Sequence, residues 1–478
     1  MQHSMSDMPL GDILPELILL VGAVLVLLFA LFAPRRMQGA AAALALVTIA
    51  AAVASTVMLL AGPGRLTFAA TYAVDGAALW GKVIVLGATA VVVTLSVEWF
   101  RGDHRRGEYY ALLMLSALGA VLMAGAADLM ALAVGVLLAT ATGAVLIAYH
   151  RRSRRASEAA LKFYLLGAFA NGLMLYGVVL LFGLAATTTF SGLRGALIGA
   201  DHLPLAAAVG LVVVGLAFKL GAVPSHSWLP DAADGAPAPV AAFVTSVPKV
   251  GALIALARLM TVLPEDGAGW RPLVAFLAAL TMTLGNVAAL WQNDVRRLLG
   301  WSAVSQTGYG LMAVVALGSS DLALPSLLYF LVAYVVATLA AFGVVAELRG
   351  EAERERYAGL ASQHPWLALA LVVSLLSFVG IPPLAGFAAK LALFGAAIDA
   401  GYGWLAVLAV ANTVVSLAYY ARVLGPAYFE PPGTPDALPV LGSWAAIGVT
   451  VSVAALVILG VWANGLLAAF GAGGLQPG

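Results

Sequence analysis

The chain has 478 residues, of which 63% are hydrophobic and 10% charged, and its mean hydropathy is +1.01. A water-soluble protein of that length needs a far richer charged shell, so the composition is that of a membrane protein. Net charge is +1 and cysteine is absent, which excludes a basic nucleic-acid surface, disulfides, thiolate metal sites and iron–sulfur ligation within this chain.

About twenty apolar residues span the hydrocarbon core of a bilayer. Runs of that length predict fourteen spans, near 11–33, 39–62, 74–98, 108–126, 128–149, 159–184, 204–226, 238–262, 271–291, 296–318, 322–348, 365–396, 402–425 and 441–465. Asp7, Asp12 and Glu16 stand ahead of or at the head of the first run, with no basic n-region or cleavage site, so it reads as a retained helix. Short loops with Gly, Pro and charge separate the runs, as at Ala61-Gly62-Pro63-Gly64 and Glu430-Pro431-Pro432-Gly433. The expected fold is an all-α polytopic membrane protein.

Arginine orients the bundle. Loops after odd-numbered runs hold fifteen arginines, among them Arg101, Arg105, Arg106, Arg151, Arg152, Arg154 and Arg155. Loops after even-numbered runs hold four, Arg65, Arg194, Arg258 and Arg271. By the positive-inside rule the odd-numbered loops are cytoplasmic, which puts both termini on the periplasmic side.

Two runs contain breaks. One reads Phe218-Lys219-Leu220-Gly221-Ala222-Val223-Pro224-Ser225-His226-Ser227-Trp228-Leu229-Pro230, the other Gly380-Ile381-Pro382-Pro383-Leu384-Ala385-Gly386-Phe387-Ala388-Ala389-Lys390. Proline removes a backbone donor and clashes with the preceding turn, so both helices should be discontinuous near mid-membrane. Paired breaks in two halves point to inverted repeats with the site at the breaks. The expected division is 1–106 for three leading helices, 107–262 and 263–430 for two five-helix repeats, and 431–478 for a last helix.

All five lysines, Lys82, Lys162, Lys219, Lys249 and Lys390, lie inside apolar runs, whereas nearly all arginines lie outside them. Arginine keeps its proton, while a desolvated lysine can lose it, so this partition suggests proton handling. A charged lysine at the bilayer centre costs about 2.5–3.5 kcal/mol on insertion scales. The bland reading of Lys219, Lys249 and Lys390 is a structural lysine bonded to carbonyls freed at a break, or one snorkelling to an interface; their co-occurrence with the breaks favours function. Lys82 and Lys162 lie nearer run ends, where the side chain can snorkel to the interface. His226, beside the first break, has an ordinary pKa suited to proton exchange; it could equally cap the helix. Asp231 and Asp234 read as caps or surface groups. No carboxylate sits at the centre of a run. Hard cations favour carboxylate oxygens, which argues against a stand-alone sodium/proton antiporter.

The stretches Arg106-Gly107-Glu108-Tyr109-Tyr110, Ser157 through Gly167, Phe218 through Pro237, Arg297-Leu298-Leu299-Gly300-Trp301-Ser302 and Gly380 through Lys390 resemble the antiporter-like membrane subunits of proton-pumping NADH:quinone oxidoreductase, respiratory complex I. Within that family the likeness is to the chain N branch, given the length, the opening Leu14-Pro15-Glu16-Leu17 and a lysine in the twelfth run. The resemblance implies a subunit of a translocase in a bacterial inner membrane, moving protons through a relay of Lys219, Lys249 and Lys390 with His226, and with Lys162 and Gln306 as weaker members. It implies no cofactor in this chain, with NADH, flavin, iron–sulfur clusters and quinone handled elsewhere in the complex. Its partners would be the bilayer and membrane-arm chains resembling M, L, K, J, A and H. Two positions depart from the family pattern. Leu137 stands where a fifth-helix glutamate pairs with the seventh-helix lysine, and Gln306 where a tenth-helix histidine is usual. Those losses keep open a non-pumping structural paralogue, and the shared motifs keep open a subunit of a multi-subunit cation/proton antiporter.

Overall fold

The structure, a computed structural model, describes residues 9–265, 269–432 and 440–475. Asp7 and both chain ends, whose sidedness the arginine pattern addresses, lie outside the described residues.

The main helices run in chain order as α1 Leu14–Phe32, α2 Ala40–Leu60, α3 Gly76–Trp99, α4 Arg106–Gly125, α5 Leu129–Ile147 and α6 Arg154–Ala185. They continue as α7 His202–Leu220, α8 Trp228–Gly235, α9 Ala238–Val262, α10 Trp270–Leu290, α11 Val295–Ala316 and α12 Ala323–Glu347. The last are α13 Pro365–Val379, α14 Ala385–Asp399, α15 Gly403–Phe429, α16 Ser443–Val461 and α17 Ala463–Ala472. Among the described residues twelve helices are long and apolar enough to cross a membrane. The expected run at 296–318 is not among them: α11 carries Arg296, Arg297 and a polar series from Ser302 to Thr307, which dilutes its hydropathy. The run at 365–396 is divided into α13 and α14, each too short for that count. The structure also holds a small hairpin, β1 Arg65–Thr67 paired with β2 Tyr72–Val74, that apolar runs do not reveal.

Local chemistry sets the helix starts. Asp75 accepts from Ala78 N at 2.9 Å, Asp128 from Met130 N at 2.7 Å, and Asp294 from Arg297 N at 2.9 Å, so three helices begin on carboxylates that satisfy their orphan donors. The N-terminus of α16 is held by Glu98, which accepts from Trp444 N and Ala445 N, both at 3.1 Å.

Helix α9 is buried on every side, and α12 nearly so, whereas α1, α2 and α16 present much of their apolar surface outward. That gradient fits their sequences: α9 carries apolar or small residues all round, the pattern of a helix with no solvent-facing side. Loops after the odd-numbered runs meet one another at one end. Trp99 stacks on His150 at 6.3 Å, Asp294 bridges Glu353, and Arg296 Nε donates to Ala233 O at 3.1 Å. The opposite end joins Tyr72 to Ala126 and Gly76 N to Gly473 O, the latter at 2.8 Å.

Both breaks are present and alike in construction. Helix α7 ends at Gly221 (φ +67°) and α13 at Gly380 (φ +91°), left-handed positions that suit glycine. Beyond each glycine the next amide reaches back to the final turn: Ala222 N bonds Ala217 O at 2.8 Å, and Ile381 N bonds Leu376 O at 3.1 Å. The first break differs in place from expectation, since α7 runs 19 residues before it and is long enough to cross by itself. The second break divides its run into two 15-residue halves.

Candidate functional site

A helix that stops inside the bundle leaves carbonyls without intrahelical partners, and buried orphans of that kind must be met by side chains. At the first break Leu220 O accepts from Thr307 Oγ1 at 2.8 Å, and Phe218 O accepts from Trp228 Nε1 at 2.9 Å. At the second, Val379 O accepts from Lys390 Nζ at 3.2 Å, and Phe378 O from Gln306 Nε2 at 3.3 Å. Helix α11 therefore touches both breaks through neighbouring residues, Thr307 on one and Gln306 on the other.

Lys249 lies between them. Its Nζ donates to Ala303 O at 2.6 Å and to Thr307 Oγ1 at 2.9 Å, beneath the Tyr334 ring at 5.3 Å. Thr307 thus accepts from Lys249 and can pass its own hydroxyl hydrogen to Leu220 O, the residue after Lys219. Tyr334, Gln306 and Lys390 line one cavity of about 10 Å³, together with Phe378 and Gly386. Lys390 Nζ also donates to Thr413 Oγ1 at 3.1 Å and stands 4.2 Å from the centre of the Tyr309 ring. Tyr309 OH in turn bonds Thr413 Oγ1 at 3.0 Å. Polar atoms and rings therefore line the way from the first break through Lys249 to Lys390, with a gap at the cavity that Tyr334, Gln306 and Lys390 share.

Lys219 is 2% exposed and faces the Phe163 ring at 5.8 Å, and no hydrogen bond or ion pair joins it to another described residue. The side chain that would supply a counter-charge in the family pattern is not placed to do so. Leu137 is 42% exposed, on the outer side of α5. Thr140 and Thr142, the other polar groups on that helix, donate to Val136 O and Leu138 O of their own helix, both at 2.7 Å.

Two further residues expected in the relay stand apart from it. His226 sits in the first break, half-buried, against the Trp301 ring at 5.7 Å. Lys162 is 45% exposed on α6 and pairs with Glu158 at 2.7 Å and Asp231 at 2.9 Å. Asp231 also holds Arg297 at 2.7 Å, so it is a bridging surface group rather than a cap.

Two readings of the sequence are corrected. Lys82 does not snorkel: it is fully buried and pairs with Glu16 at 2.6 Å, while Tyr72 OH donates to the same carboxylate at 2.6 Å. Six residues into α3 is not near enough to an interface when α1 and the hairpin close over the side chain. Arg258 is not a loop residue: it lies within α9, fully buried, in a bidentate pair with Asp75 at 2.5 and 3.0 Å. Sequence reasoning also missed Thr307, Thr413 and Tyr309. A signal existed on α15, where Asn412, Thr413, Ser416, Tyr419 and Tyr420 recur at helical spacing and mark one polar face.

Residues 126–416 match the model of the NADH:quinone oxidoreductase/Mrp antiporter transmembrane family. NADH-quinone oxidoreductase subunit N of a Mycobacterium species (strain JLS) is 45% identical over 85% of this chain and 87% of its own length. The chain belongs to this family. Subunit N 1 of Streptomyces griseus is 42% identical over 97% of this chain and 98% of its own. Among solved structures, respiratory complex I from Thermus thermophilus superposes with a TM-score of 0.83 at 31% identity, covering 96% of this chain and all of that one. The matched segment contains both breaks and Lys219, Lys249 and Lys390, so the family likeness and the buried row coincide.

Proposed function

We propose that this chain is the subunit N type of membrane-arm subunit in a bacterial NADH:quinone oxidoreductase, and that it moves protons along Lys219, Lys249 and Lys390 while other subunits carry electrons from NADH to quinone. The observation that supports the assignment of the row is that helix α11 bonds both helix breaks, Thr307 linking Lys249 to Leu220 O and Gln306 holding Phe378 O beside the Val379 carbonyl that Lys390 holds. A lysine held by neutral acceptors can be charged or neutral, and charge on one disfavours charge on the next. A proton entering at one lysine therefore promotes release from its neighbour. The cavity between Gln306 and Lys390 has room for about one water, enough to bridge a gap that Gln306 cannot itself titrate across. Moving one charge against the potential costs roughly 2.3 kcal/mol per 100 mV, so the row must be driven by coupling to electron transfer.

The same reading counts α13 and α14 as one broken span and α11 as another, for fourteen in all. It groups residues 107–262 and 263–430 as inverted repeats, and sets the arginine-rich end in the cytoplasm with both termini periplasmic. His226 belongs to the access route at the first break and Lys162 to the rim. Flavin and iron–sulfur clusters reside in other subunits, and the neighbours are membrane-arm chains resembling M, L, K, J, A and H.

Purification through a tag on this chain tests the assignment. NADH:quinone reductase subunits should copurify, and Lys390→Ala should lower proton uptake on NADH addition severalfold without preventing assembly. Copurification of antiporter subunits alone would replace the reading with the cation/proton antiporter. Normal assembly with undiminished pumping in Lys390→Ala would leave the chain a structural paralogue.

A further inference from the structure

The arginine-rich end contains a cavity of about 560 Å³ between the loop after α3 and the loop after α5, lined by Asp103, His104, Arg105, His150, Arg151 and Arg152 among others. A second cavity of about 470 Å³ runs from it between α4, α5 and α6, with Leu112, Ala148, Ala160 and Leu161 in its wall. Arg105, Tyr149 and Arg151 line both, so the two adjoin as one depression, cationic at the loops and largely apolar along the helices. Arg105 is fixed against the Tyr149 ring at 5.7 Å, and Tyr149 OH bonds the Arg105 carbonyl, which stiffens the corner where the two parts meet. The apolar arm opens outward beside Val145, Leu161 and Tyr164, all largely exposed on the side of the bundle. Two carboxylates, Asp103 and Glu108, also line the depression. Asp103 is engaged by Arg105 N at 2.8 Å, and Arg105, Arg151 and Arg152 outnumber the pair.

We propose that this depression binds one anionic phospholipid, its phosphate headgroup at Arg105, Arg151 and Arg152 and an acyl chain in the groove between α4, α5 and α6. Loop arginines by themselves are what the positive-inside rule supplies at any cytoplasmic end. The added observation is the juxtaposition: a basic pocket that shares Arg105, Tyr149 and Arg151 with a largely apolar groove, which suits one amphiphile better than a free anion. Each arginine near an anionic headgroup strengthens binding roughly fivefold.

The test uses the intact complex, stripped of lipid in detergent and placed in nanodiscs of phosphatidylcholine with increasing phosphatidylglycerol or cardiolipin. Lipid retained on this subunit is read by native mass spectrometry. The double variant Arg151→Gln with Arg152→Gln should weaken retention about 30-fold, while Arg151→Lys with Arg152→Lys should stay within a few-fold of wild type. Ala148→Phe fills the groove and leaves every charge in place, so it should release the lipid while the complex still assembles. Retention of neutral and anionic lipid alike, or retention unchanged by Ala148→Phe, overturns the proposal. Displacement by millimolar inorganic phosphate that Ala148→Phe does not alter overturns it too, in favour of a free-phosphate site.

Discussion

At the scale of single residues, Thr307 is the sharpest consequence of the geometry, because it hydrogen-bonds both Lys249 and the last carbonyl of α7. Hydrogen bonds inside membrane proteins contribute about 0.6–2 kcal/mol each, so Thr307→Val should still fold. Its proton flux in reconstituted vesicles should nevertheless fall about tenfold, and Thr307→Ser should restore most of it. Wild-type flux in Thr307→Val would remove that hydroxyl from the path. Leu137 leads to the opposite expectation. From the family pattern a carboxylate there should assist Lys219, but the position looks outward. Leu137→Glu should therefore lower the yield of assembled protein, at a cost of about 2.5–3.5 kcal/mol if charged and unpartnered, and leave protons per electron pair unchanged. A rise in that ratio would show that the side chain reaches Lys219 after all. The lysines were legible because a cation within an apolar run is conspicuous. Thr307 and Thr413 were not, since threonine is unremarked in a membrane helix until packing shows which way it faces.

At the scale of elements, the breaks were legible from glycine and proline, and the structure adds what the freed carbonyls do. Gly386 shows how tightly α14 closes on α13: a Cβ there would collide with Ser377 O. Gly386→Ala should push α14, and Lys390 with it, away from Val379, with assembled protein reduced severalfold by gel analysis. Normal yield would mean that the two halves slide freely. The closure of α1, β2 and α3 was not legible, because Lys82 finds its partner Glu16 66 positions away in sequence and through a hairpin that hydropathy does not report. Removing one member of a buried pair strands the other, at about 3–5 kcal/mol. Lys82→Met should thus lower the thermal midpoint of the detergent-purified complex, and adding Glu16→Gln should recover much of the loss. Strictly additive effects in that cycle would show that the pair is not coupled.

For the whole molecule, the arginine asymmetry matches the gathering of odd-numbered loops at one end, and the absence of cysteine makes the orientation open to a clean measurement. Single cysteines at Arg152, in the loop after α5, and Leu203, in the first turn of α7, both exposed and at opposite ends of the bundle by loop parity, should react differently with an impermeant maleimide. From the periplasmic side Leu203→Cys should label and Arg152→Cys should not; the reverse pattern would invert the bundle. The fold class was legible because composition and run length alone dictate helices in a bilayer. The path between the lysines was not, since it depends on α11 lying across two breaks that are some 160 residues apart. The most direct test of that path is the proton-to-electron ratio of the reconstituted complex carrying Lys249→Arg. Arginine preserves charge and donor capacity but does not release its proton. The ratio should fall below that of wild type while the complex remains assembled; an unchanged ratio with wild-type NADH oxidation would contradict proton transfer through the lysine row.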